Sequence, residues 1–66
     1  MRDNIEAERG RKQFSKERIS RELGITSKTY NNYVQGKPIP SDVLVRMAQL
    51  FECSTDYLLG MTSARR

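Results

Sequence analysis

Residues 14–36 read Phe14-Ser15-Lys16-Glu17-Arg18-Ile19-Ser20-Arg21-Glu22-Leu23-Gly24-Ile25-Thr26-Ser27-Lys28-Thr29-Tyr30-Asn31-Asn32-Tyr33-Val34-Gln35-Gly36, and they decide the fold. Ser15 suits a helix N-cap, because its hydroxyl can accept from the free amides of the first turn. Glu17 lies in that turn, where the helix dipole favours an acid. Ile19 and Leu23 are four apart and share a face. Gly24 ends the helix, since glycine readily takes the left-handed backbone found there. Thr26 opens a second helix in the same way. Tyr30, Tyr33 and Val34 fall at i, i+3 and i+4 and define its inner face, while Ser27, Lys28, Asn31, Asn32 and Gln35 lie largely off it. Gly36 closes it. Asn is a mediocre helix former, so three amides and no acid on so short a helix point to selection for something other than helix stability. Ile19, Leu23, Ile25 and Tyr30 can share one core, and the small Ser20 permits close approach of the two helices.

Working outward, a first helix is expected from about Asn4 to Gln13, with Ile5 and Ala7 as its clear apolar anchors. Gly10 weakens it by roughly 1 kcal/mol relative to Ala. On the other side, Gly36-Lys37-Pro38-Ile39-Pro40 is a rigid connection. Ser41 can cap a fourth helix, with Asp42 in its first turn and an apolar stripe of Val43, Leu44, Met47, Ala48, Leu50 and Phe51. Ser54 or Thr55 caps a short fifth helix, Asp56-Tyr57-Leu58-Leu59, stopped by Gly60. Residues 61–66 have little to fold around and are expected to fray. No sustained period-2 alternation occurs, so no strand is expected. The expected fold class is all-α, five helices in one domain over residues 1–66, with an ordered core at about 4–60.

Composition narrows the function. Sixty-six residues make one small domain, which buries only about 60% of its unfolded-chain surface. One Cys and no His leave no intramolecular disulfide and no Cys/His zinc set, and remove Ser-His, Cys-His and most metal-hydrolase schemes. No cofactor or metal is expected. No apolar run approaches the ~18 residues of a membrane span, and Met1-Arg2-Asp3-Asn4 leads into charge rather than a signal-peptide core. A cytoplasmic protein, or a fragment of one, is expected. The net charge is +4 and the pI about 9.6. Residues 1–28 carry eight Lys/Arg and five Asp/Glu, against four and three in the remainder. The excess, mainly Arg9, Arg11, Lys12, Lys16, Arg18 and Arg21, suits an anionic partner.

Two short helices joined by a tight glycine turn, the second exposing polar residues, form a helix-turn-helix pattern. With that pattern in place, the chain resembles the Xre/Cro-type family, the DNA-binding domains of lambda-like phage repressors and their bacterial relatives. The likeness runs from about Ile5 to Gly60. It is carried by Phe14-Ser15-Lys16-Glu17-Arg18-Ile19-Ser20, Leu23-Gly24-Ile25-Thr26, the Tyr30, Tyr33 and Gly36-Lys37 run, Pro40-Ser41, and Ser54-Thr55-Asp56-Tyr57-Leu58-Leu59-Gly60. The ordered set with its spacing is specific. The closing segment and the Asn-Ile-Glu-Ala-Glu-Arg opening look like small prophage or mobile-element repressors of Gram-positive bacteria. Three departures stand out. Ser20 replaces the usual Ala. Val34 stands where the family commonly has a Glu paired with an Arg of helix one, here Arg9, which leaves Arg9 free for phosphate or paired elsewhere. Glu52 and Cys53 replace the usual Gly or Val before the last helix.

The resemblance implies a lambda repressor-like domain whose third helix lies in the major groove of double-stranded DNA. Carried onto this chain, the base readers are Ser27, Lys28 and Asn32, with Thr29 and Asn31 beside them. The chemistry agrees: Asn pairs with adenine N6 and N7, Lys donates to guanine O6 and N7, and a Thr methyl meets the thymine methyl. The plain alternative is a solvated helix face. Phosphate contacts are expected from Lys16, Gln35 and Lys37, and from the helix N-termini at Ser15 and Thr26. Arg9, Arg11 and Lys12 are candidates for flanking phosphates. About five neutralised phosphates give a log-log salt slope of about −4.5. Tyr30 and Tyr33 are read as core rather than base-stacking, and Cys53 as an inert buried thiol rather than a redox switch. The family solution to specificity is a homodimer on palindromic half-sites, with Tyr57, Leu59 and Met61 as the expected dimer surface and a weak or DNA-assisted dimer as the expected state.

Two other classes compete. Some relatives are protein-interaction modules, acting as antitoxins or as bridges to polymerase. A hydrophobic groove and an acidic third helix would favour that reading; the acid-free third helix favours DNA. An enzyme is the weakest alternative, because no two of the eight carboxylates have a local setting that suggests matched acid and base roles. The expected function is a transcriptional regulator, most often in this family a repressor, with no small-molecule site.

Overall fold

A computed structural model describes residues 1–65. Its elements are α1 (Asp3–Arg11), α2 (Lys16–Leu23), α3 (Ser27–Val34), α4 (Ser41–Phe51) and α5 (Thr55–Leu58). No strand occurs among the described residues. Among the described residues no helix is long and apolar enough to cross a membrane. Three N-caps follow the sequence expectation. Ser15 Oγ accepts from the Arg18 amide at 3.0 Å, Thr26 Oγ1 from the Thr29 amide at 3.1 Å and Ser54 Oγ from the Tyr57 amide at 3.1 Å. Helix α4 differs. Pro40 occupies its cap position, and Ser41 is already helical with no side-chain cap bond. Pro40 has no amide proton to place, and its carbonyl takes the first helical bond, from the Leu44 amide at 3.0 Å.

Gly24 closes α2 at φ 70°. The Ile25 amide reaches back to the Ser20 carbonyl at 2.9 Å and the Gly24 amide to that of Arg21 at 3.1 Å. This is the doubled closure of a Schellman motif, and it turns the chain sharply enough for α3 to pack on α2. Ser20 is buried, with its hydroxyl donated to the Lys16 carbonyl at 2.7 Å, so the small polar residue sits at the helix contact without an unmet donor.

Ile5, Ile19, Tyr30, Val34, Met47, Phe51, Tyr57 and Leu58 form the core, with Phe14, Leu23, Ile25, Ile39, Val43, Leu44 and Leu50 among the partly buried residues packed on it. The anchors of α1 are a correction. Ile5 is buried as expected, but Ala7 is exposed and the second inner position belongs to Glu8, only 2% exposed. A carboxylate is tolerated there because Arg65 grips it at 3.0 and 2.8 Å and the Tyr57 hydroxyl donates to it at 3.3 Å. The segment expected to fray therefore carries a core contact. The Arg65 guanidinium also donates to the Phe51 carbonyl, and the Arg65 carbonyl accepts from the Ser54 amide. Arg66 lies outside the described residues.

The first turn of α1 sits on the C-terminal ends of two other helices. Asn4 Nδ2 donates to the Tyr57 carbonyl of α5 at 2.7 Å, and Arg2, at the head of α1, reaches the end of α3.

Candidate nucleic-acid interface

Helix α3 is amphipathic by residue type. Tyr30, Tyr33 and Val34 are buried, as the i, i+3, i+4 spacing requires, so neither tyrosine is placed for stacking on bases. The Tyr30 hydroxyl donates to Glu6 at 2.6 Å. Burial, and then the Glu6 carboxylate, push the Tyr30 phenol well above its ordinary range. The remaining positions form the outer rows. Lys28 and Gln35 are exposed, and Ser27, Asn31 and Asn32 half-buried. Among the described residues, no hydrogen bond or ion pair engages the side chains of these five. Helix α3 contains no acid, and Lys28 is its single cation. A row of open amides, a hydroxyl and an ammonium can donate and accept in the patterns of base edges.

Thr29 differs from the other expected readers. Its hydroxyl accepts from Thr26 Oγ1 at 2.9 Å, so the two threonines lock the first turn of α3. Thr29 keeps its methyl and one proton for an outside partner.

The expected phosphate contacts divide. Lys16, Gln35 and Lys37 are exposed and open. Ser15 and Thr26 each engage the amide three residues on, so their hydroxyls serve the caps while the first-turn amides between them lack a side-chain acceptor. Arg9 serves the fold. Its guanidinium grips Glu6 at 2.8 and 3.1 Å and donates to the Phe14 carbonyl at 2.8 Å, which lowers the Glu6 carboxyl below its ordinary range. With Val34 in place of a Glu, the pairing of Arg9 moves to a residue of its own helix, and a Tyr30–Glu6–Arg9 chain joins α1 to α3. Lys12 pairs with Glu52 at 2.6 Å and Arg11 approaches Glu8 at 3.7 Å. Arg18 is exposed and lies over the Phe14 ring, 5.0 Å from its centroid.

The expected dimer surface is also divided. Tyr57 is buried with its hydroxyl toward Glu8, which removes it from that surface. Leu59 is half-buried and Met61 is 72% exposed. Cys53 is half-buried rather than buried. It lines a shallow apolar groove of α4 and α5 with Val45, Ala48 and Thr55.

One residue at this interface has no counterpart in the sequence reading. Arg2 binds carbonyls at the end of α3 and in the turn that follows. Its partners are main-chain carbonyls, so no side-chain pattern in the sequence marks it.

A family model described as helix-turn-helix matches residues 5–58. A curated protein of Bacillus subtilis (strain 168), "Uncharacterized HTH-type transcriptional regulator YobD", is 38% identical over 47 residues. The aligned region covers 70% of this chain and 42% of that relative, so the chain spans less than half of its length. No solved structure matches the chain.

Proposed function

Because the chain belongs to the Xre/Cro-type helix-turn-helix family, we propose that it binds double-stranded DNA sequence-specifically through α3 in the major groove and regulates transcription, as a repressor. The observation that carries this reading is the outer face of α3, where Ser27, Lys28, Asn31, Asn32 and Gln35 are unengaged on a helix without acid. Lys28 and Asn32 read base edges, with Ser27, Asn31 and Thr29 beside them. Lys16, Gln35 and Lys37 hold the backbone, with the free first-turn amides of α2 and α3. The competing protein-interaction reading calls for a hydrophobic groove and acid on the third helix; a shallow apolar groove is present at α4 and α5, but α3 has no acid.

The test is in vitro selection of bound DNA, repeated with Lys28→Ala and Asn32→Ala. Each variant relaxes preference at one or two base positions and loses about 1–3 kcal/mol on the preferred sequence. Uniform weakening across all sequences would reassign both residues to phosphate and defeat the reading.

Two copies act together on a palindromic operator. Half-sites one helical turn apart are separated by about 34 Å. The molecule measures 27 × 23 × 20 Å, so adjacent copies fit side by side on one face of the duplex. Leu59 and Met61 are the contact residues proposed, and so small a patch supports a weak or DNA-assisted dimer. Sedimentation therefore finds monomer without DNA and two copies per operator. A dimer persisting at nanomolar concentration without DNA would overturn the weak-dimer proposal.

A further inference from the structure

The C-terminal end of a helix leaves four carbonyls without intrahelical partners, and buried or half-buried ones need donors from elsewhere. In α3 each can be traced. The Asn31 carbonyl accepts from the Gln35 amide at 3.0 Å and that of Asn32 from the Lys37 amide at 3.0 Å. The Tyr33 carbonyl accepts from the Gly36 amide at 3.2 Å and from Arg2 Nη1 at 2.7 Å. The Val34 carbonyl accepts from the Arg2 amide at 2.6 Å. Arg2 Nη1 also donates to the Lys37 carbonyl at 2.5 Å. One residue, more than thirty positions away in sequence, thus completes the end of α3 and holds the turn carrying Lys37.

The electrostatics point the same way. The last turn of α3 has no basic residue of its own, although a cation at a helix C-terminus is favoured by the dipole. Arg2 supplies that charge. Among the described residues it takes part in no ion pair. It is also the N-cap residue of α1, and its side chain caps nothing in that helix. The geometry couples the start of α1 to the end of α3.

We propose that Arg2 is a positioning residue for DNA reading, fixing the tilt of α3 and the Gly36–Lys37 turn relative to α1 without touching DNA. This rests on α3 being the reading helix. Arg2 fixes the far end of the helix whose near end carries Lys28. Without its side-chain bonds the last turn of α3 and the Gly36–Lys37 turn are held only by backbone bonds, among them that of the Arg2 amide to the Val34 carbonyl, and must be re-ordered as DNA binds.

Arg2→Met keeps the stem and removes the charge and the donors. Arg2→Lys keeps a charged nitrogen with several donors. Both are compared with wild type for operator affinity, salt dependence, selected base preference and amide hydrogen exchange. Arg2→Met binds about tenfold more weakly, the size set by ordering a few groups on binding. Its base preference is blurred, its log-log salt slope is unchanged, and the amides of Gly36 and Lys37 exchange faster. Arg2→Lys stays within about threefold of wild type, each factor of ten being ~1.4 kcal/mol. A slope shallower by about 0.9 in Arg2→Met would make Arg2 a phosphate contact and overturn the proposal. So would wild-type affinity and exchange in that variant, or Arg2→Lys no better than Arg2→Met. Lys28→Ala run in parallel separates the two ideas. If it and Asn32→Ala both leave base preference intact, reading by α3 fails, while exchange at Gly36 and Lys37 still judges the clamp.

Discussion

Gln13 holds a left-handed backbone at φ 60°, and Glu52 another at φ 55°. Each closes a helix with the doubled bonds seen at Gly24. After α1, the Phe14 amide meets the Arg9 carbonyl at 3.1 Å and the Gln13 amide that of Gly10 at 3.1 Å. After α4, the Cys53 amide meets the Ala48 carbonyl at 3.1 Å and the Glu52 amide that of Gln49 at 3.3 Å. An L-residue in this conformation costs roughly 1–2 kcal/mol. Glu52 has a compensation, its ion pair with Lys12. Gln13 is exposed, and among the described residues no hydrogen bond engages its side chain. Gln13→Gly therefore stabilises the fold by about 0.5–1 kcal/mol, the strain relieved less the added freedom of the unfolded chain. The reverse change at Gly24 isolates the same effect. A Cβ there meets no atom within 4 Å, so Gly24→Ala costs about 1 kcal/mol through its φ alone. Thermal unfolding resolves both, at about 4–8 °C per kcal/mol for a domain of this size. A lower Tm for Gln13→Gly, or an unchanged one for Gly24→Ala, would contradict the account.

At the scale of the element, α2 and α3 were legible because every local signal agreed. Ser15 and Thr26 are caps, Gly24 and Gly36 are stops, and the inner faces fall at helical spacing. The outer face of α3 follows from the same period, which is why Lys28 and Asn32 emerge open. Helix α1 was less legible. Ala7 reads as core, yet it is exposed and Glu8 takes the inner position, because the group that neutralises Glu8 lies 57 residues away. The Arg9–Glu6 pair is an i, i+3 match, but the family pattern pairs that Arg with a Glu at the position of Val34. Arg2 was beyond reach. Its targets are main-chain carbonyls, and no side-chain pattern marks them. Tyr57, expected at the surface, is buried for a related reason: α5 has four residues, too few to separate an inner from an outer face by period.

At the scale of the molecule, the Glu8–Arg65 pair joins the first helix to the far end of the described chain. Glu8 is nearly inaccessible, and burial alone would raise its carboxyl pKa. The Arg65 hydrogen bonds outweigh that, with help from Tyr57 and Arg11, and the carboxyl lies below its ordinary range. The sign for stability follows. A carboxyl whose folded pKa is depressed contributes stability that is present above its unfolded value, about 4.3, and is lost as pH falls through the folded value. Glu6, depressed first by Arg9, adds to the same acid limb. Glu8→Gln therefore flattens the fall in Tm below about pH 4.3 without abolishing it, since Glu6 still titrates. Arg65→Ala inverts the behaviour of Glu8. With its main counter-ion gone, burial dominates and the carboxyl pKa rises, so this variant loses most stability at pH 7 and approaches wild type as Glu8 takes up a proton. Adding Glu8→Gln to Arg65→Ala removes the buried charge and recovers much of the loss at pH 7. Melting curves of the four proteins from pH 3 to pH 7 give the check. Parallel curves for wild type and Arg65→Ala, or no recovery in the double variant, would show that the pair does not hold Glu8 in the core.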